Sequence, residues 1–212
     1  GPNSLLARLT PTGTLDSTFA GTGFVVGSYG QESSRLTALT LRANGNIVVS
    51  GATYSAIDGK SLLAAQYLPD GSLDPNFGNS GTMRVSINAY YQVPSGVESG
   101  VLDTISELAS GELLLTSGNL FAKLTPWGTL DTSYGSSSNG LKVLDYALFK
   151  TSAVAHSDGS LMLYGSSNYT GNQYHSPKFA SQHLLANGQL DFAYGTHVYP
   201  AFTQSGFQVF SL

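Results

Sequence analysis

Polar and apolar residues alternate along this chain in short runs that end at glycine. The run Thr37-Ala-Leu39-Thr-Leu41 is followed by Arg-Ala-Asn44-Gly45, and then by Ile47-Val-Val49-Ser-Gly51. A period of two predicts half-buried strands. Asn-Gly between such runs predicts a tight hairpin with a type I′ turn, which needs positive φ at both central residues. The same unit recurs at Ile105 to Leu115 around Gly111 and at Ala153 to Leu163 around Asp158-Gly159. No stretch sustains a helical period, so the expected class is all-β.

A second pattern alternates with the first. It reads Leu9-Thr-Pro-Thr-Gly13-Thr-Leu15-Asp16, then Leu68-Pro-Asp-Gly71-Ser-Leu73-Asp74, Leu124-Thr-Pro-Trp127-Gly128-Thr-Leu130-Asp131 and Leu185-Ala-Asn-Gly188-Gln-Leu190-Asp191. Its glycines fall 58, 57 and 60 residues apart, so each copy is one supersecondary unit that needs its neighbours to bury its apolar face. Each Asp is followed three positions later by an aromatic: Phe19, Phe77, Tyr134 and Tyr194. The Asp should accept backbone N–H bonds within a tight loop while the ring covers the core.

Two hairpins per unit, A–B at the first pattern and C–D at the second, match the blade of a β-propeller. The expectation is a β-propeller-like repeat domain of about four blades, with repeats at about 5–61, 62–119, 120–178 and 179–212. Three full blades fall near 36–87, 103–145 and 151–199. A fourth is shared, its C and D strands coming from Leu5 to Gly27 and its A strand from Phe207 to Leu212, so that N- and C-terminal strands pair to close the ring. The alternative is completion of a ring or fibre beside other copies or other parts of a longer protein. Residues Gly1 to Ser4 read as the remnant of a cleaved expression tag.

Composition narrows the function. With 9 Lys and Arg, none clustered, and a net charge of −4, the chain lacks the footprint of a nucleic-acid or anionic-lipid binder. It has no Cys, and no apolar run approaches the length of a membrane helix. No nucleophile elbow, phosphate loop or metal-ligand spacing of the four histidines is present, so neither an enzyme nor a cofactor or metal is expected. Carboxylates brought together by the fold for glycan cleavage are the enzymatic alternative. The repeated Asp residues suit turn-locking better than calcium, which needs six to eight oxygens in reach of one loop.

The string Ala7-Arg8-Leu9 through Phe19, with Asp74-Pro-Asn-Phe77-Gly78 and Gly45-Asn-Ile47-Val-Val49-Ser-Gly51, resembles the delta-60 repeat over nearly the whole chain. That resemblance implies propeller blades in a large surface-exposed or secreted bacterial protein, without a common catalytic motif, in a binding or display role. The chain departs from the pattern at Ala186, at Trp127 and in the missing hairpin after Gly195.

Specialisation is sought where the copies differ. Copy two gains length at Asn88 to Gly96, a D-to-A loop with Tyr90, Tyr91 and Gln92, and copy three at Ser167 to His175, a B-to-C loop with Tyr169, Asn172, Tyr174 and His175. In an up-and-down blade both loop types leave by the same end, opposite the hairpin turns. Tyr, Asn and Gln combine flat apolar area with fixed donors and acceptors, as sugar rings or polar protein epitopes require. Trp127 occupies a turn tip held by Thr12, Asp70 and Asn187 in the other copies, and is expected to contact an oligomer neighbour or a partner. The expected function is therefore a noncatalytic recognition or adhesion module at the bacterial surface or outside the cell, binding glycan or a cell-surface protein epitope. A structural spacer or homo-oligomerising segment, a trimer for example, is the alternative.

Overall fold

The computed structural model describes residues 4–29, 33–57, 59–87, 104–117, 120–135, 139–144, 149–170 and 173–198. Among these there is no helix, and fourteen strands follow in order. β1 (Ser4–Ala7) and β2 (Phe24–Gly27) form a two-stranded antiparallel sheet. Three four-stranded sheets then follow. The first holds β3 (Ser33–Leu41), β4 (Ile47–Ser55), β5 (Gly59–Tyr67) and β6 (Thr82–Ser86). The second holds β7 (Thr104–Glu107), β8 (Leu113–Ser117), β9 (Leu120–Leu124) and β10 (Leu141–Val143). The third holds β11 (Phe149–Ala155), β12 (Leu161–Thr170), β13 (Gln173–Leu184) and β14 (Thr196–Val198). Within each sheet the strands neighbour one another in sequence order, as in an up-and-down blade. Phe207 to Leu212, the expected closing strand, lies outside the described residues.

The chain divides into two compact units, one of Gly1–Ile105 with Trp127–Thr129, the other of Ser106–Pro126 with Leu130–Leu212. In the first, Leu6 and Phe19 pack with Tyr29, Val49, Leu63, Ala65 and Tyr67. The hydroxyls of Tyr29 and Tyr67 meet at 2.9 Å in that core, and burial raises the pKa of both. In the second, Phe121 and Tyr134 pack with Leu161, Leu163, Ala180 and Leu184. Central strands such as β5, with Leu62-Leu63-Ala64-Ala65, are buried on both faces and therefore read as continuous apolar runs.

Two details differ from expectation. The Asn44-Gly45 turn is not type I′, because only Gly45 has positive φ, at 84°. Its N–H donates to the Arg42 carbonyl at 2.9 Å, and the Arg42 N–H donates to the Asn46 carbonyl at 2.8 Å. This is a type I turn closed by a left-handed glycine bulge, which matches strand twist with one left-handed residue instead of two. The same bonding recurs at Gly13, Gly71, Gly111, Gly159 and Gly188, so both hairpin patterns use one turn. Nor does the Pro-x-Gly turn join strands C and D directly. It closes a single bridge, Tyr67 with Leu73 or Leu124 with Leu130, after which Asp74 or Asp131 folds the chain into a loop. β6 begins only at Thr82, where it pairs with Ala65.

Candidate functional site

Each repeated Asp is held from two directions. One carboxylate oxygen accepts the N–H two residues on: Thr18 to Asp16, Asn76 to Asp74 and Ser133 to Asp131, each at 3.0 Å, and Ala193 to Asp191 at 2.9 Å. This is the turn-locking role expected of these residues. The other oxygen takes a side chain eight residues back. Arg8 Nε reaches Asp16 at 2.8 Å, Gln66 Nε2 reaches Asp74 at 2.7 Å, Lys123 Nζ reaches Asp131 at 3.2 Å and His183 Nδ1 reaches Asp191 at 2.9 Å. The donor changes chemistry in every copy while its position does not, a regularity that sequence reading missed although the spacing of eight is constant.

Three of these donors also lie over the ring that follows. Arg8 sits 4.9 Å from the Phe19 centroid, Lys123 Nζ 5.9 Å from Tyr134, and the His183 ring 5.9 Å from Tyr194. Hydrogen bonding to Thr18 lowers the pKa of Asp16, and that to His183 lowers Asp191. Burial pushes Asp131 upward, but Ser133 and Lys123 outweigh it and its pKa falls. Lys123 further bonds Glu112 at 3.0 Å, and in the preceding sheet Arg42, Gln66 and Asp74 form a buried polar chain. With both oxygens of each Asp engaged, these carboxylates are structural ties.

The fold brings His156, His183 and His197 close to one another in and beside the last sheet. His156 meets His183 edge to face at 5.9 Å, and Tyr194 stands between His183 and His197, with centroids 5.9 and 4.7 Å away. His183 and Asp191 form a dyad, but the nearby Ser181 hydroxyl pairs with Tyr194 at 2.8 Å. Among the described residues no group of His, Asp and Glu has a geometry that would hold a metal ion. The cluster is ring packing around one hydrogen-bonded His–Asp pair.

Of the residues proposed for recognition, Tyr169, Tyr174 and His175 fall at the end of the last sheet away from its turns. Tyr90, Tyr91, Gln92 and Asn172 lie outside the described residues. The B-to-C segment of copy three is not an open loop. β12 and β13 continue as a hairpin in which Tyr169 is opposite Tyr174 and Thr170 opposite Gln173, with His175 next along β13. The corresponding hairpins end at Ser55 with Gly59 and at Ser117 with Leu120. Tyr54 and Ile57, at the first of these tips, are exposed; Ile57 was invisible as a candidate because its copy has no extra length. Trp127 stands at its turn tip with 70% of its surface open, while its backbone carbonyl accepts the Gly78 N–H at 2.8 Å.

A family described as a β-propeller domain of unknown function (DUF5122) matches residues 1–19 and 42–77. The matched stretches run from β1 through Phe19 and from the first A–B turn through Phe77, so they carry both glycine turns and two of the Asp–aromatic loops. Together with the antiparallel sheets, the match supports a β-propeller-type repeat. A comparison with curated proteins found no match.

Proposed function

We propose that this chain is a noncatalytic recognition module of a bacterial surface or secreted protein, built from repeats of the delta-60 type. It engages glycan or protein epitopes at the ends of its sheets opposite the turns, through the β12–β13 hairpin with Tyr169, Asn172, Tyr174 and His175 and through the Tyr90–Gln92 segment. The observation that carries this reading is the unequal reach of hairpins that share one origin. β4, β8 and β12 all start two residues after their turn glycine, yet run nine, five and ten residues. A scaffold that needed only to pack would have no reason to run two hairpins past the third and to furnish the longest with Tyr, Asn and Gln.

The double variant Tyr169→Ala/Tyr174→Ala tests it on a glycan array and on intact cells, with solution mass measured in parallel. Removing two aromatic anchors should weaken binding by roughly thirtyfold at least, leaving mass and melting temperature unchanged. Full binding by this variant would locate recognition elsewhere. Turnover of an arrayed glycan would replace the reading with an enzymatic one.

A further inference from the structure

One joint is made three times inside this chain. The residue after the loop aromatic donates its N–H to the carbonyl just before the next copy's turn glycine: Ala20 to Asp70 at 2.7 Å, Gly78 to Trp127 at 2.8 Å and Gly135 to Asn187 at 2.9 Å. The aromatic lies against that glycine. A Cβ at Gly71, Gly128 or Gly188 would come within 3.0, 2.6 or 2.7 Å of Phe19, Phe77 or Tyr134.

Among the described residues, the first and last halves of this joint are open. Around Gly13, whose φ of +83° matches the other three, no atom of a described residue lies within 4 Å of an added Cβ, and the Thr12 carbonyl accepts no hydrogen bond from a described residue. The face of β1 leading to that turn is bare as well. Leu5 and Leu9 are 65% and 58% exposed, whereas their counterparts Leu63 and Tyr67, Leu120 and Leu124, and Ala180 and Leu184 are all at 1% or less. At the other end Tyr194 is only half-buried where Phe19, Phe77 and Tyr134 are enclosed. Gly195 turns its N–H back to the Asp191 carbonyl. The same face carries Tyr164 stacked on Phe179, both part-exposed.

The geometry points to a head-to-tail contact between two copies of this chain, in which the Thr10–Thr14 turn and the Leu5–Leu9 face of one dock on Tyr194, Phe179 and Tyr164 of the other. It would repeat the packing of the internal joint, with the ring of Tyr194 on Gly13, and the Gly195 N–H would exchange the Asp191 carbonyl for that of Thr12. The contact is heterologous, so association propagates or closes a ring of several protomers instead of stopping at a symmetric pair. It uses none of the residues assigned to recognition and stands independently of that reading.

Light scattering on the full chain decides it. The wild-type mass should climb above 22.2 kDa as concentration rises. Gly13→Asn keeps the left-handed turn, because Asn tolerates that conformation, but places a Cβ where the Tyr194 ring must lie, and should hold the protomer mass. Tyr194→Ala blocks the opposite end and should do the same. An equimolar mixture of these two variants retains one good end of each kind and should reach twice the protomer mass and go no higher. Circular dichroism establishes that both variants fold; should Tyr194→Ala unfold, association of the wild type and its loss in Gly13→Asn decide alone. A wild type at protomer mass at every concentration, association by Gly13→Asn equal to wild type, or a mixture of folded variants that stays at protomer mass would each overturn the contact. A monomer whose melting temperature drops sharply with Gly13→Asn would place Gly13 under Tyr194 of its own chain and overturn it equally.

Discussion

Gly13 and Gly128 occupy the same position of the same turn, with φ of +83° and +78°, and differ only in what covers them. Replacing each by Ala therefore separates backbone strain from the joint. An L residue in the left-handed region costs about 1–2 kcal/mol, and Gly13→Ala should cost that and no more, because its Cβ enters open space. At Gly128 the Cβ would sit 2.6 Å from Cε2 of Phe77, a ring with 1% exposure and no room to withdraw. Overpacking of this kind adds roughly 1–3 kcal/mol, for a total of about 2–5 kcal/mol. In a chain of this size each kcal/mol moves the midpoint by about 2–4 °C, so Gly13→Ala should melt some ~4 °C early and Gly128→Ala some ~10 °C early. The assay is thermal unfolding by circular dichroism at low protein concentration, where contacts between chains do not contribute. Equal losses at the two positions would refute the claim that the aromatic-on-glycine contact holds successive repeats together.

The hydroxyl of Tyr134 is buried with no hydrogen-bond partner, where Phe19 and Phe77 have none to bury; Tyr134→Phe should therefore raise the melting temperature, recovering part of a desolvation cost of roughly 1–3 kcal/mol. A lower midpoint would show that the hydroxyl is satisfied. Lys123→Met leaves Glu112 and Asp131 facing the gap left by an ammonium that bonded both, and should cost about 2 kcal/mol, less than a fully enclosed pair because Glu112 keeps a quarter of its side-chain exposure, with Lys123→Arg nearly neutral. A Met variant as stable as wild type in urea would count against the tie. Asp16, Asp131 and Asp191 have folded pKa values below their ordinary ones, so their contribution is complete above the unfolded value of about 3.9 and is lost as pH falls through the lower folded values. From these groups the midpoint should be level between about pH 8 and 5 and drop below about 4; a midpoint unchanged down to about pH 3 would contradict the assignment.

The repeat, the strand content and the sheet limits were legible because glycine turns mark a period on the chain itself. The spans read near 36–87, 103–145 and 151–199 fall close to sheets that occupy 33–86, 104–143 and 149–198. The turn type was not legible. Asn-Gly fits two left-handed residues or one, and the choice rests on backbone bonds from Arg42 to Asn46 that no side chain reports. The donors of the Asp ties escaped because Arg8, Gln66, Lys123 and His183 share a position and a function without sharing a residue type. The joint escaped for a related reason: Gly13 and Gly128 are the same letter in the same phrase, and only burial distinguishes them.

These ties also explain why variation concentrates at one end of each sheet. At the turn end of the second, third and fourth copies the repeated phrase is tied to the preceding copy. The glycine lies under an aromatic, the carbonyl before it receives a neighbour's N–H, and both oxygens of the following Asp are engaged. A longer turn would break three contacts and displace the next repeat with them. The B-to-C hairpins β4–β5, β8–β9 and β12–β13 leave the same origin and run to different lengths in their described residues. Length and composition differ between copies there while the turn stays constant, which is why the proposed recognition surface is placed at that end. Trp127 fits the same logic from the constrained side. Its backbone is fixed by Gly78 while its ring is left open, so the side chain is the one element of that turn free to specialise.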